Sequence, residues 1–111
     1  MRLTEVITKQ FKLENYINVV EIYDSIPNEI AVKPEDFETS WAIAYSYNEA
    51  NMYDHAAEMF EHARQLAIID SDILKSDIYA IEAYKNALDV GEVMNNSAME
   101  NDVRKRIKIT D

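Results

Sequence analysis

Residues 37–70 read FETSWAIAYSYNEANMYDHAAEMFEHARQLAIID, and this stretch decides the fold. Phe37, Trp41, Ile43, Ala44, Tyr45 and Tyr47 are apolar around most of a helix circumference, as a helix packed on more than one side requires. Asn51 and Met52 break the pattern, after which Tyr53, Ala56, Phe60, Ala63 and Ala67 recur at three- and four-residue steps down a second helix. So short a turn forces the two helices antiparallel. The spacing predicts a helical hairpin over about 35–69, with a third helix of the chain starting near Glu35 and a fourth following it.

Towards the N-terminus, Leu3, Val6, Ile7 and Phe11 form one helical stripe, and Tyr16, Val19, Val20, Tyr23 and Ile26 form another that Pro27 ends. This predicts a hairpin over about 2–26. Residues 27–34 read as a linker, and Pro34-Glu35-Asp36 as the proline and first-turn acids of a helix start. Towards the C-terminus, Asp70 or Ser71 reads as the cap of a fifth helix with the stripe Leu74, Ile78, Ile81, Tyr84 and Leu88, closed by a turn at Asp89-Val90-Gly91. Ser97 and Glu100 have capping-box spacing, and Val103 with Ile107 adds a short stripe. A sixth helix is therefore expected over at least 98–108, starting at Glu92 or nearer Ser97, which gives a third hairpin over about 71–108. With one glycine and two prolines among 111 residues, breakers are scarce and no strand is expected. The expected fold is a single all-α domain, 1–111, of about six helices in three antiparallel hairpins.

The hairpins repeat. Tyr16, Val19, Tyr23 and Ile26 return 37 residues later as Tyr53, Ala56, Phe60 and Ala63, and Trp41, Ala44 and Tyr47 return as Ile78, Ile81 and Tyr84. The next step fails, placing Ser97 where Phe60 stood. Residues 37–70, with Ile43-Ala44, Tyr47, Ala56, Phe60 and Ala63, resemble the tetratricopeptide repeat, in which small residues let paired helices approach and large ones fill the space between hairpins. Trp41 sits one place later than the family's usual tryptophan, Ile68 replaces the closing proline, and the period exceeds the family's roughly 34 residues. The resemblance implies a right-handed superhelix of stacked hairpins. An irregular helical bundle is the alternative that the residues themselves leave open.

Charge limits the partners. Residues 1–102 hold 7 basic against 20 acidic side chains, and the whole chain carries −10, so phosphate backbones are repelled and basic surfaces attracted. The basic cluster Arg104, Lys105, Arg106 and Lys108 reads as a complement to a helix C-terminus rather than a nucleic-acid or membrane patch. Cysteine is absent, charge interrupts the N-terminal segment before an apolar run could act as a secretory signal, and apolar stretches such as Trp41 to Tyr45 fall far short of the ~20 residues that span a bilayer. A soluble cytoplasmic protein is expected.

The residues offer little for catalysis. His55, Glu58 and His62 are too few ligands for a closed metal site, and both histidines read as solvated surface. No cysteine nucleophile exists, the serines sit at helix starts or on polar faces, and one glycine cannot build a phosphate-cradling loop. No enzyme activity, metal or cofactor is expected. The family resemblance instead implies a concave groove lined by the first helix of each hairpin, which aims Glu38, Trp41, Tyr45, Asn48 and Glu49 at a partner, with Tyr79 and Glu82 extending the surface. An aromatic groove rimmed by carboxylates suits an apolar protein segment with basic flanks. The family's carboxylate-gripping set of lysines and arginines is missing, which disfavours an acidic C-terminus as ligand. Trp41 and Tyr45 read equally well as plain core. The expected function is a small adaptor or dedicated chaperone. The alternative is an acidic inhibitor or immunity protein covering the basic surface of a toxin or nucleic-acid enzyme. Homo-oligomerisation stays open because stacked hairpins expose two apolar ends.

Overall fold

A computed structural model of the chain describes residues 3–26, 34–90 and Lys105. Among them are five helices and no strand: α1 (Leu3–Lys12), α2 (Tyr16–Asp24), α3 (Phe37–Glu49), α4 (Tyr53–Leu66) and α5 (Asp70–Asp89). Of the expected linker at 27–34 only Pro34 is described, and of the expected turn Asp89-Val90-Gly91 only Asp89, which is still helical, and Val90, which follows the helix; the expected sixth helix lies outside the described residues, except that Lys105 is helical and exposed.

The repeat is visible in the backbone. Glu14, two residues past the end of α1, has φ 60, and Asn51, two residues past the end of α3, has φ 61, again 37 positions apart. In the first turn the Asn15 N–H donates to the Gln10 carbonyl and the Glu14 N–H to that of Phe11, both at 2.9 Å. In the second the Met52 N–H donates to the Tyr47 carbonyl at 2.9 Å and the Asn51 N–H to that of Asn48 at 3.1 Å. Each is a Schellman ending, in which one left-handed residue lets the chain satisfy the last carbonyls and reverse. The pattern stops there, because the corresponding position 88 still lies within α5.

The core forms where α4 packs between α3 and α5 and where α2 and α1 close on α3. Its centre is built from large residues set among small ones: Ile43, Phe60 and Tyr84 are buried together with Ala42, Ala44, Ala56, Ala57, Ala80 and Ala83. Alanines on facing helices shorten the interaxial distance, and the few large rings then fill the remaining volume. Tyr47 reaches from α3 to α2, where its hydroxyl donates to the Asp24 carboxylate and its ring meets Tyr23 edge-on at 6.3 Å.

Three local expectations need correction. Helix α3 starts at Phe37 rather than Glu35: the Asp36 carboxylate is the cap, accepting from the Thr39 N–H at 2.9 Å and the Thr39 hydroxyl at 2.8 Å, with Pro34 and Glu35 outside the helix. Neither Asp70 nor Ser71 caps α5, which begins at Asp70 behind an extended Ile69 that makes no side-chain cap. The buried face of α5 is Ser76, Ala80, Ala83, Tyr84 and Ala87 with Ile81, leaving Leu74, Ile78 and Leu88 exposed. Small side chains won that face because α4 packs closely upon it; the bulkier stripe lies to the side.

Candidate functional site

The first helices of the hairpins, α1 and α3, and the helix that follows, α5, bring their aromatic residues to one face. Trp41 on α3 meets Tyr79 of α5 edge-on at 4.9 Å between ring centroids and stacks along its own helix with Phe37 at 5.9 Å. Tyr45, one turn on, lies 6.0 Å from Tyr79 and meets Phe11 of α1 edge-on at 5.7 Å. Tyr16, at the start of α2, closes the row against Phe11 at 5.8 Å and Tyr45 at 5.5 Å. Phe60 of α4 is wholly buried beneath it, 5.1 Å from Trp41 and 5.5 Å from Tyr79. Edge-on and offset pairs at these distances are the attractive arrangements for rings, so the row is held in place without a ligand.

Trp41 and Tyr45 are half-buried and pack on the core from outside it. Neither ring is fully enclosed, as a plain core residue would be. Beside Trp41 a concave cleft of about 250 Å³ is lined by Phe11, Phe37, Trp41 and Glu38 with Lys12 and Lys75. The Lys75 ammonium lies 4.4 Å from the Trp41 ring centroid and 5.3 Å from that of Phe37, a cation over two aromatic faces, and 3.6 Å from Asp72. At the other end of α3 a shallower hollow of about 310 Å³ is lined by Tyr16 with the carboxylates of Glu14 and Glu49. Partial burial, then Glu14 and Glu49, hold the Tyr16 phenol above its usual range. Burial first, then Glu49, raises that of Tyr45. Both rings stay neutral at physiological pH and keep a hydroxyl able to donate and accept.

Of the residues singled out from the sequence, Trp41, Tyr45 and Tyr79 come together in the row, Glu38 borders the cleft and Glu49 the hollow. Asn48 shares their helix, and its buried side-chain oxygen has no hydrogen-bond partner among the described residues. Glu82 is exposed near Tyr79 on α5, in a shallow depression with Ile78, Ile81 and Lys85. Sequence reasoning missed Phe11, Tyr16 and Phe37 as parts of this face, having placed them in helix stripes, and missed Glu14, Lys12 and Lys75 altogether. The 37-residue shift carried the signal: it takes Glu38 forward to Lys75 and takes Asn48 and Glu49 back to Phe11 and Lys12.

The histidines go elsewhere. His55 is exposed and stacks on Tyr47 at 5.3 Å. His62 is not solvated surface as expected: it is partly buried, with Nε2 2.6 Å from the Pro34 carbonyl, tying α4 to the segment before α3. Among the described residues no group of three or more potential ligands gathers to hold a metal, and no helix is long and apolar enough to cross a membrane. No family model, curated protein or solved structure matches the chain, so the face itself carries the argument about function.

Proposed function

We propose that this chain is a protein-binding module of tetratricopeptide-like hairpins, a small adaptor or dedicated chaperone that holds an apolar, basic-flanked segment of one protein partner against its aromatic face, without catalysis or cofactor. The observation that carries the reading is the continuous row of rings from Tyr16 through Phe11, Tyr45 and Trp41 to Tyr79, half-open and assembled from helices far apart in sequence. A core needs such rings covered on all sides, whereas a binding face needs them fixed on one side and free on the other. The turn and helix pattern, present twice, supports the stacking of like hairpins, which places first helices side by side on one surface. The excess of carboxylates supports a basic partner.

The test is capture of partners from host lysate at low and high salt, with the native chain beside a Trp41→Ala, Tyr45→Ala variant of matched helicity. A partner kept in high salt and lost by the variant supports the aromatic face. A partner lost in high salt and kept by the variant overturns it in favour of an acidic cover for a basic protein surface.

A further inference from the structure

We propose that the spot where Lys75 lies over Trp41 and Phe37 is a seat for an arginine side chain of the partner, which Lys75 fills in the free chain and yields on binding. This rests on the reading of the face as a binding groove, and it names the basic residue the groove takes and where that residue goes.

The seat is defined by what already occupies it. The Lys75 ammonium lies 4.4 Å from the Trp41 ring centroid and 5.3 Å from that of Phe37, so the position suits a cation. Trp41 and Phe37 stack at 5.9 Å with 27° between their planes, and edge-on contacts to Phe60 and Tyr79 hold Trp41 in place, which makes the two rings a fixed apolar floor to the cleft. A cation at this position is 3.6 Å from the Asp72 carboxylate, and Glu38, between the two rings in sequence, lines the same cleft. Against Lys12, which lines the cleft from α1, these two carboxylates keep the seat attractive to a cation once Lys75 has withdrawn.

Lys75 is held loosely enough to yield. Its side chain is 43% exposed, and its one ion pair on α5 is an i,i+3 contact at the long end of the range, a kind that contributes little on a helix surface. The flexible four-carbon stem lets the ammonium turn off the rings into water, where it is strongly hydrated. Arginine holds the same position better. Its planar guanidinium lies flat on an aromatic floor, gives up less hydration than an ammonium, and presents a fork of N–H donors that a carboxylate accepts two at a time. A partner's lysine would exchange one ammonium for another and gain nothing.

Trp41 is the single tryptophan, so its fluorescence reports on the seat. The full chain is titrated at constant ionic strength with N-acetyl-arginine amide and, separately, with N-acetyl-lysine amide. The native protein is compared with Lys75→Gln and Lys12→Gln, each of matched helicity by circular dichroism. The expected result is a saturable change in Trp41 emission with the arginine probe, weaker binding of the lysine probe, and an arginine affinity about fivefold higher for Lys75→Gln, whose seat no longer has to be vacated. Lys12→Gln removes the same charge from the same cleft and gains less than about twofold. In proton spectra of the native chain the Lys75 ε-methylene, shielded by the ring beneath it, loses that shielding as the arginine probe binds. No saturable response in Lys75→Gln, an affinity unchanged or lowered by that substitution, an equal gain in Lys12→Gln, equal binding of the two probes, or arginine bound with Lys75 still shielded overturns the proposal. If the lysate partner is then still lost by the Trp41→Ala, Tyr45→Ala variant, the groove stands without the seat. A partner kept by that variant overturns the groove and the role of the seat together.

Discussion

Replacing Phe60 with alanine tests the packing on which the aromatic face depends. Phe60 has no exposed surface and lies under both Trp41 and Tyr79, at 5.1 and 5.5 Å between ring centroids. Phenylalanine-to-alanine changes in cores cost about 3–5 kcal/mol, the spread reflecting how far neighbours collapse into the space. Here several buried neighbours are Ala56, Ala57 and Ala63, too short to move in, and the loss of two ring contacts adds to the cavity. The upper half of the range, about 4 kcal/mol, is therefore expected for Phe60→Ala, and about 1 kcal/mol for Phe60→Leu, which keeps most of the volume. A chain of this length has a total stability of about 5–15 kcal/mol, so the alanine variant is left marginal. Urea unfolding followed by helical dichroism and by fluorescence of the single tryptophan, Trp41, measures both quantities. A loss below about 1.5 kcal/mol with an unchanged urea slope would refute the reasoning, because Phe60 would then not support the rings above it.

Three further perturbations address other links. Asp36→Ala removes the cap from the Thr39 N–H and hydroxyl and is expected to cost about 1 kcal/mol in thermal or urea unfolding, whereas Glu35→Ala costs less than half of that. Glu14→Gly relieves a left-handed backbone that Asn51 occupies in the matching turn and should stabilise by about 0.5 kcal/mol in urea unfolding. The Tyr47 phenol is held well above its usual range by burial, then by its hydrogen bond to Asp24. Folded protein keeps that proton after the unfolded chain has lost it near pH 10, so stability falls as pH rises beyond about 10, by up to about 1.4 kcal/mol per unit from this group. Tyr47→Phe should lower stability at pH 8 and flatten that alkaline fall in urea melts across pH 8–11; an unchanged slope counts against the assignment.

The five described helices were legible because their signals are local: apolar spacing sets each helix, and Asn51 with Met52 marks the turn between two of them. The corrected details came from competition that spacing does not reveal. The stripe Leu74, Ile78 and Leu88 has good helical periodicity, yet α5 buries its alanines, since close approach to α4 outweighs the larger apolar area of the branched residues. Likewise, Pro34 and Glu35 are compatible with a first turn, but Asp36 reaches the Thr39 N–H and sets the boundary itself. The aromatic row was half legible. Trp41, Tyr45 and Tyr79 followed from the family resemblance, whereas Phe11 and Tyr16 sit at a helix end and beside a turn, where one helix's periodicity does not say which way a ring points. Lys75, which lies over Trp41, was hidden by the net charge, which drew attention to the carboxylates.

The measurement closest to the central claim is hydrogen exchange on the chain bound to a partner obtained by salt-resistant capture, compared with the free chain. The account predicts added protection in α1, α3 and α5 and at Tyr16, where the rings gather, with α4 little changed because its buried face already lies beneath them. Protection concentrated on the outer surfaces of α2 and α4, with the exchange of α3 and α5 unaltered, would contradict it and place the partner on another face of the molecule.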